Sequence, residues 1–172
     1  MGSWLTKLNG KTVDKIFQID YNTDRHEDIY LPFLIYITFL DLDSFIEIEG
    51  DFDGEHIRIN LIHQSQLDLK LKANDYPNEP DLWKIFPTTS KETLGRLLGQ
   101  KIAFVEYGID KDEYEINGTR CKGEKDVFKF IRLNSNTVSM TIFEGGTTGL
   151  GVSDDPETKI SFEETFDKYD TK

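Results

Sequence analysis

A single cysteine, Cys121, is the only thiol in this 172-residue chain, so no internal disulfide can hold the fold together. Its neighbours Arg120 and Lys122 favour a thiolate, but no histidine partner is identifiable, and it reads as an ordinary free thiol. Long hydrophobic runs are missing as well. The most apolar stretch, Tyr30 to Leu40, is interrupted by Pro32 and Thr38 and is about half as long as a membrane-spanning helix; it reads as a buried strand. No basic N-terminal segment leads into an apolar signal core, so the expected location is cytoplasmic. Met1-Gly2-Ser3-Trp4-Leu5-Thr6 matches the loose N-myristoylation pattern but lacks the polybasic run that supplements one acyl chain, and no membrane association is expected.

Bases are scarce: 20 Lys and Arg stand against 32 Asp and Glu, a formal charge of -12. Such a chain repels phosphate and attracts cationic surfaces, which disfavours direct nucleic-acid binding. Signatures of catalysis are also wanting. His26, His56 and His63 form no H-E-x-x-H pattern, no G-x-S-x-G elbow or Walker loop is present, and each histidine is expected at the surface or in a turn. Glu49 to Gly54 imitates the start of a calcium loop. Its twelfth position, however, is Asn60 where a bidentate Glu belongs, and its flanks read as strands. The same acids with His56 lack a second histidine at ligand spacing, so no metal and no cofactor is expected. Gly145 to Gly151 resembles a phosphate loop without the helix that would hold the anion, and reads as a hairpin or bulge loop. Asn117-Gly118-Thr119 fits a glycosylation sequon and, better, a hairpin turn.

What the chain does have is enough apolar residue to fold: 37% hydrophobic, including 12% aromatic, in a length that buries roughly 70% of its unfolded surface. Leu5-Thr6-Lys7-Leu8-Asn9-Gly10-Lys11-Thr12-Val13 aligns with Leu94-Gly95-Arg96-Leu97-Leu98-Gly99-Gln100-Lys101-Ile102 as L-x-[KR]-L-x-G-x-x-[VI]. Leu40 to Gly54 and Leu133 to Gly149 share a rhythm of strand, polar turn, strand and glycine-bearing turn. The expected fold class is therefore mostly β (α+β), with antiparallel sheets in two duplicated units, each opening with a short helix. Thr89 and Glu92 form a capping-box pattern ahead of Leu94, Leu97 and Leu98, with Gly99 as the stop. Residues 1–72 form the first unit and 90–172 the second, which ends in an acidic segment. Pro77, Pro80 and Pro87 mark 73–89 as a connector, docked through Trp83, Ile85 and Phe86. After Pro156, Phe162, Phe166 and Tyr169 recur at helical spacing, although Ile160 and Phe162 could begin a strand.

Period-two alternation is clearest where Ile46, Ile48 and Phe52 interleave with Glu47, Glu49 and Asp51, and Ile57, Ile59 and Leu61 with Arg58 and Asn60. A type I′ turn at Asp53-Gly54 pairs Ile48 with Ile59, Glu49 with Arg58 and Asp51 with His56, and puts Ile46, Ile48, Ile57, Ile59 and Leu61 on the inner face. The same stretch carries a comb of carboxylates, Asp41, Asp43, Glu47, Glu49, Asp51, Asp53 and Glu55, with no Lys or Arg among them. Like charges spaced along one strand face are mildly unfavourable, a cost that a cationic partner would relieve; an acidic face kept for solubility and against edge pairing explains the pattern at least as well. The second unit has Asn134, Ser135, Asn136, Thr137, Ser139 and Thr141 in the comparable place, so the fold itself does not require the carboxylates.

In size, acidity, carboxylate comb and lack of catalytic signatures, the chain resembles bacterial immunity proteins, which neutralise toxins of interbacterial competition. The resemblance implies a non-catalytic protein whose acidic face, Asp41 to Glu55, occludes the basic active-site cleft of a cationic toxin such as a nuclease domain. A structural or assembly module is the first alternative, and a hydrolase built on paired carboxylates the second.

Overall fold

β-Branched and aromatic residues dominate the runs that pair, and turn-forming residues separate them. In the computed structural model, residues 3–21, 32–51, 56–73, 83–111, 113–122, 128–145, 149–158, 160 and 165–172 are described. The strands are β1 (Val13–Tyr21), β2 (Leu34–Phe39), β3 (Ser44–Gly50) and β4 (Ile57–His63), followed by helix α1 (Leu67–Ala73) and β5 (Trp83–Pro87). Then come β6 (Phe104–Asp110), β7 (Glu113–Ile116), β8 (Thr119–Lys122), β9 (Phe128–Asn134), β10 (Ser139–Glu144), β11 (Leu150–Ser153) and β12 (Phe166–Asp170). The chain is mostly β and its strand pairings are antiparallel, as the sequence predicts.

Pairing builds two arrays. In one, β1 pairs with β2 and β5, β2 with β3, and β3 with β4. In the other, β6 pairs with β9 and β12, β9 with β10, and β10 with β11. They join where Ile57 pairs with Phe128, giving one ten-stranded sheet. The Leu150 N–H opening β11 donates to the Pro32 carbonyl ahead of β2, so the far end of the sheet returns to its middle. A third contact is a strap: Gly10 N–H donates to Ile102 C=O (2.7 Å), and Gly99 N–H to Val13 C=O (2.9 Å). Between them, Ile102 N–H donates to Lys11 C=O (2.8 Å) and Val13 N–H to Gln100 C=O (3.0 Å), around a bridge of Thr12 with Lys101. Gly10 and Gly99 have φ of 78° and 73°, a region that a side chain disfavours.

One core lies between the arrays, with Leu5, Leu8, Val13, Ile16, Ile46 and Ile48 from the first part of the chain and Leu94, Leu97, Ile102, Val105, Met140 and Ile142 from the second. The outer faces have their own cover. Leu67 and Leu71 of α1 pack on Tyr36, Phe45 and Ile62, where Tyr36 meets Phe45 edge-on at 5.5 Å. On the other array, Phe130, Phe143 and Phe166 gather with Ile160. β2 is buried along its whole length because both of its faces are covered, which is why it reads as a continuous apolar run.

The register between β3 and β4 sets Ile48 against Ile59 and Glu49 against Arg58, while Asp51 N–H donates to His56 C=O, in the arrangement the alternation predicts. Ile46, Ile48, Ile57 and Ile59 lie in the core and Leu61 packs against it. The tip, Asp53-Gly54, lies outside the described residues. Asn117 (φ 51°) and Gly118 (φ 77°) turn the β7–β8 hairpin, which stands as a separate two-stranded sheet.

Several expectations change. Ser3–Leu8 and Leu94–Leu97, where short helices are expected, are of the 3-10 type; each reaches a positive-φ glycine after too few residues to propagate an α-helix. Glu92 does reach back to accept from Thr89 N–H (2.7 Å), half of a capping box. The docked connector, 73–89, adds a strand where it meets the fold: its residues Trp83–Pro87 form β5 along the edge of β1. Phe166 and Tyr169, helically spaced in sequence, lie on β12 paired to β6, because ladder bonds there satisfy the backbone that a short helix would leave exposed. His56, expected at the surface or in a turn, is buried just ahead of β4.

Truncating Ile48, wholly buried, to alanine should cost about 2 to 5 kcal/mol in chemical denaturation through lost burial and a residual cavity. Gly10→Ala and Gly99→Ala should each cost about 1 kcal/mol, and by similar amounts, since neither added Cβ meets a close neighbour and only the left-handed backbone is penalised. A cost confined to one of the two would show that the strap is unequally important.

Candidate functional site

Strand periodicity sends alternate residues of β3 to opposite faces, so Ile46 and Ile48 enter the core while Phe45, Glu47 and Glu49 face outward toward α1. That outer face is not open. At the end of β4, His63 Nδ1 accepts from Ser65 N–H and starts a 3-10 turn that leads into α1. Leu67 and Leu71 then bring α1 down on Phe45, and Lys70 arrives over Glu47. Lys70 Nζ donates to both carboxylate oxygens of Glu47, at 2.8 and 3.2 Å, and Asn60 Nδ2 donates to Oε1 at 3.3 Å. Glu47 is only 5% exposed.

The remaining teeth of the comb differ in setting. Burial, followed by the neighbouring Glu47 charge, holds the Glu49 carboxyl above its ordinary value, against the opposing pull of Arg58 and Lys70. Asp51 Oδ1 accepts from Arg58 Nη2 at 2.7 Å across the hairpin. Asp41 and Asp43 are exposed at the β2–β3 turn. Asp41 Oδ1 accepts from Thr12 N–H (3.0 Å) and its carbonyl from Lys11 Nζ (2.7 Å), while the Asp43 carbonyl accepts from Gln64 N–H. Asp53 and Glu55 lie outside the described residues. The bases absent from the comb's own sequence thus come from β4, α1 and the segment before β1. The arrangement is chemically split: a covered ion pair at mid-strand, and exposed carboxylates at the turn.

A second charged cluster has no precedent in the sequence reading. His56 precedes β4, Asp110 ends β6 and Lys129 is the second residue of β9; all three are buried. His56 Nε2 lies 2.8 Å from Asp110 Oδ2, and Lys129 Nζ lies 3.2 Å from Asp110 Oδ1. The only sequence signal for it was one lysine inside the apolar run Phe128-Lys129-Phe130-Ile131. Cys121 sits in β8, with its backbone opposite Tyr114.

Among the described residues no group of three His, Cys, Asp or Glu side chains is placed to hold a metal ion, and no helix is long and apolar enough to cross a membrane. Comparison with protein-family models, with curated proteins and with solved structures returned no match.

The raised Glu49 value fixes the sign of one pH effect. The folded state holds that proton more tightly than the unfolded chain, so stability falls as pH rises from the ordinary 4.5 through the folded value, and the penalty is complete above it. Glu49→Gln should therefore be more stable than the parent at neutral pH, and the gap should close as pH drops below 4.5. Denaturation curves across that range read it; a gap independent of pH would mean that the gain is not electrostatic. Lys70→Met should be destabilising by about 1 to 3 kcal/mol, because Glu47 keeps its burial and loses its counter-charge. The double variant Lys70→Met with Glu47→Gln should recover part of that loss.

Proposed function

We propose that this chain is a non-catalytic acidic binding protein that engages a cationic protein through the β2–β3 turn. The observation that carries the reading is the exposure of Asp41 and Asp43 there, in a chain with 32 acids against 20 bases. With Glu47 covered by Lys70, it acts in this reading as an internal tie and not as a contact. The exposed carboxylates steer a basic surface into place, which raises association rate and salt sensitivity more than it lengthens the life of the complex. An immunity protein that blocks the basic cleft of a toxin, acting in the cytoplasm, is the form of this function that the resemblance implies.

We also infer that the two arrays are copies of one duplicated unit, each entered through a short helix. Support comes from strand pairing: β5-β1-β2-β3-β4 and β12-β6-β9-β10-β11 are wired alike. It comes also from the strap, whose bonds from Gly10 and Val13 repeat at Gly99 and Ile102. Even the edges correspond, since Thr88 N–H donates to Ile16 C=O beyond β5 and Thr171 N–H to Val105 C=O beyond β12.

The binding reading is tested by capturing partners from the native host with the intact chain, then measuring association with the captured basic protein at low and high salt. Asp41→Asn with Asp43→Asn should slow association several-fold and flatten its salt dependence, while Asp155→Asn with Glu157→Gln, equally exposed, should do little. Equal effects of the two pairs would mean that the partner senses net charge alone. An unchanged rate in both would move the binding surface elsewhere.

A further inference from the structure

The cluster of His56, Asp110 and Lys129 has no part in that binding reading. Lys129 and Asp110 side chains are each 2% exposed, an extreme burial for two opposite ions. Their contact is also unusual in direction. Lys129 Nζ stands 3.2 Å from Asp110 Oδ1, yet Oδ1 accepts no hydrogen bond among the described residues, so the amine approaches off the hydrogen-bonding direction. The backbone explains the approach: the β6–β9 register shifts between Gly108 and Ile109, whose partners are Phe130 and Phe128, and Lys129 falls at that irregularity. The other carboxylate oxygen lies 2.8 Å from His56 Nε2. A nitrogen nucleophile is thus held against a carboxyl group, away from water, with an imidazole on the oxygen that would leave; proximity of this kind is what intramolecular condensation requires.

We propose that Lys129 and Asp110 join in an intramolecular isopeptide bond, with His56 as the proton carrier. The ammonium proton of Lys129 passes to the carboxylate, which leaves an amine and an acid. The Nζ lone pair adds to Cγ, and the C–Oδ2 bond breaks as His56 delivers a proton and Oδ2 departs as water; the imidazole regains its proton from the nitrogen. One ammonium and one carboxylate become one amide and one water, with no change of oxidation state and no co-reactant. The product removes two buried charges and closes a covalent ring from Asp110 to Lys129, so that the β7–β8 hairpin is tied at its base to the sheet.

The hairpin supplies the test, because Arg120 and Lys122 are exposed there. Limited trypsin digestion of the intact folded protein at those residues should leave the two pieces joined under reducing, denaturing conditions. The complete digest should contain a branched peptide linking Asp110 to Lys129, one water lighter than its parts combined. Lys129→Arg should retain the fold by circular dichroism and release separable pieces. His56→Gln should leave an unlinked fraction detectable by mass. Pieces of the parent protein that separate, together with unbranched Asp110 and Lys129 peptides, would overturn the bond; a His56→Gln protein as fully linked as the parent would remove His56 from the reaction.

Discussion

A twisted β-array with one apolar face has to cover that face, and in this chain each array is the other's cover. Ile46 and Ile48 on one side and Met140 and Ile142 on the other are fully buried in the same cluster. Hydrophobic burial is non-directional and would tolerate many relative placements of two such faces. Direction comes from hydrogen bonds, among them those of the strap around Thr12 and Lys101, the Ile57–Phe128 pair, and the bond from Leu150 to Pro32. Each is short, so none alone holds the arrays; together they leave the shared core a single register.

Because the inner faces are committed to one another, the outer faces are where the two arrays can differ, and charge appears there. The cover of β3 by α1 takes the middle of the carboxylate comb out of solvent and provides its counter-ion in the same step. Apolar contacts of Leu67 and Leu71 hold the helix in place; the Lys70 pair then offsets the desolvation of Glu47 and does not itself drive docking.

The sequence was most readable where local pattern and tertiary burial agree. Ile48 against Ile59 and Glu49 against Arg58 follow from alternation alone, because a slip of one residue would turn every isoleucine outward. Local pattern decides less where it serves two structures. Leu67-Asp68-Leu69-Lys70-Leu71-Lys72 alternates with period two, yet it folds as α1, since Leu67 and Leu71 also share a helical face and His63 caps the turn before it. Lys70 was therefore not available as a partner for Glu47, and a comb without bases was the natural reading. His56, Asp110 and Lys129 lie far apart in sequence and meet through the β4–β9–β6 junction, a long-range fact that no local period encodes.

In the duplicated reading, the register of the two arrays identifies what diverged. Tyr36 faces Glu47 across β2 and β3; at the matching place on β9 and β10, Arg132 faces Thr141. Both pairs must satisfy a polar group on the outer face of a central strand. In the first array the acid is on the strand and its base arrives from α1. In the second the base is on the strand, where Arg132 Nε donates to Thr141 Oγ1 at 2.7 Å and Nη1 lies 3.6 Å from Glu106 Oε2. A counter-charge supplied from a neighbouring strand makes no demand for a helix there, whereas a buried glutamate without Lys70 would be left uncompensated. The acid at position 47 and the helix that carries Lys70 are thus one coupled feature: neither could have been gained or lost alone without a cost in stability.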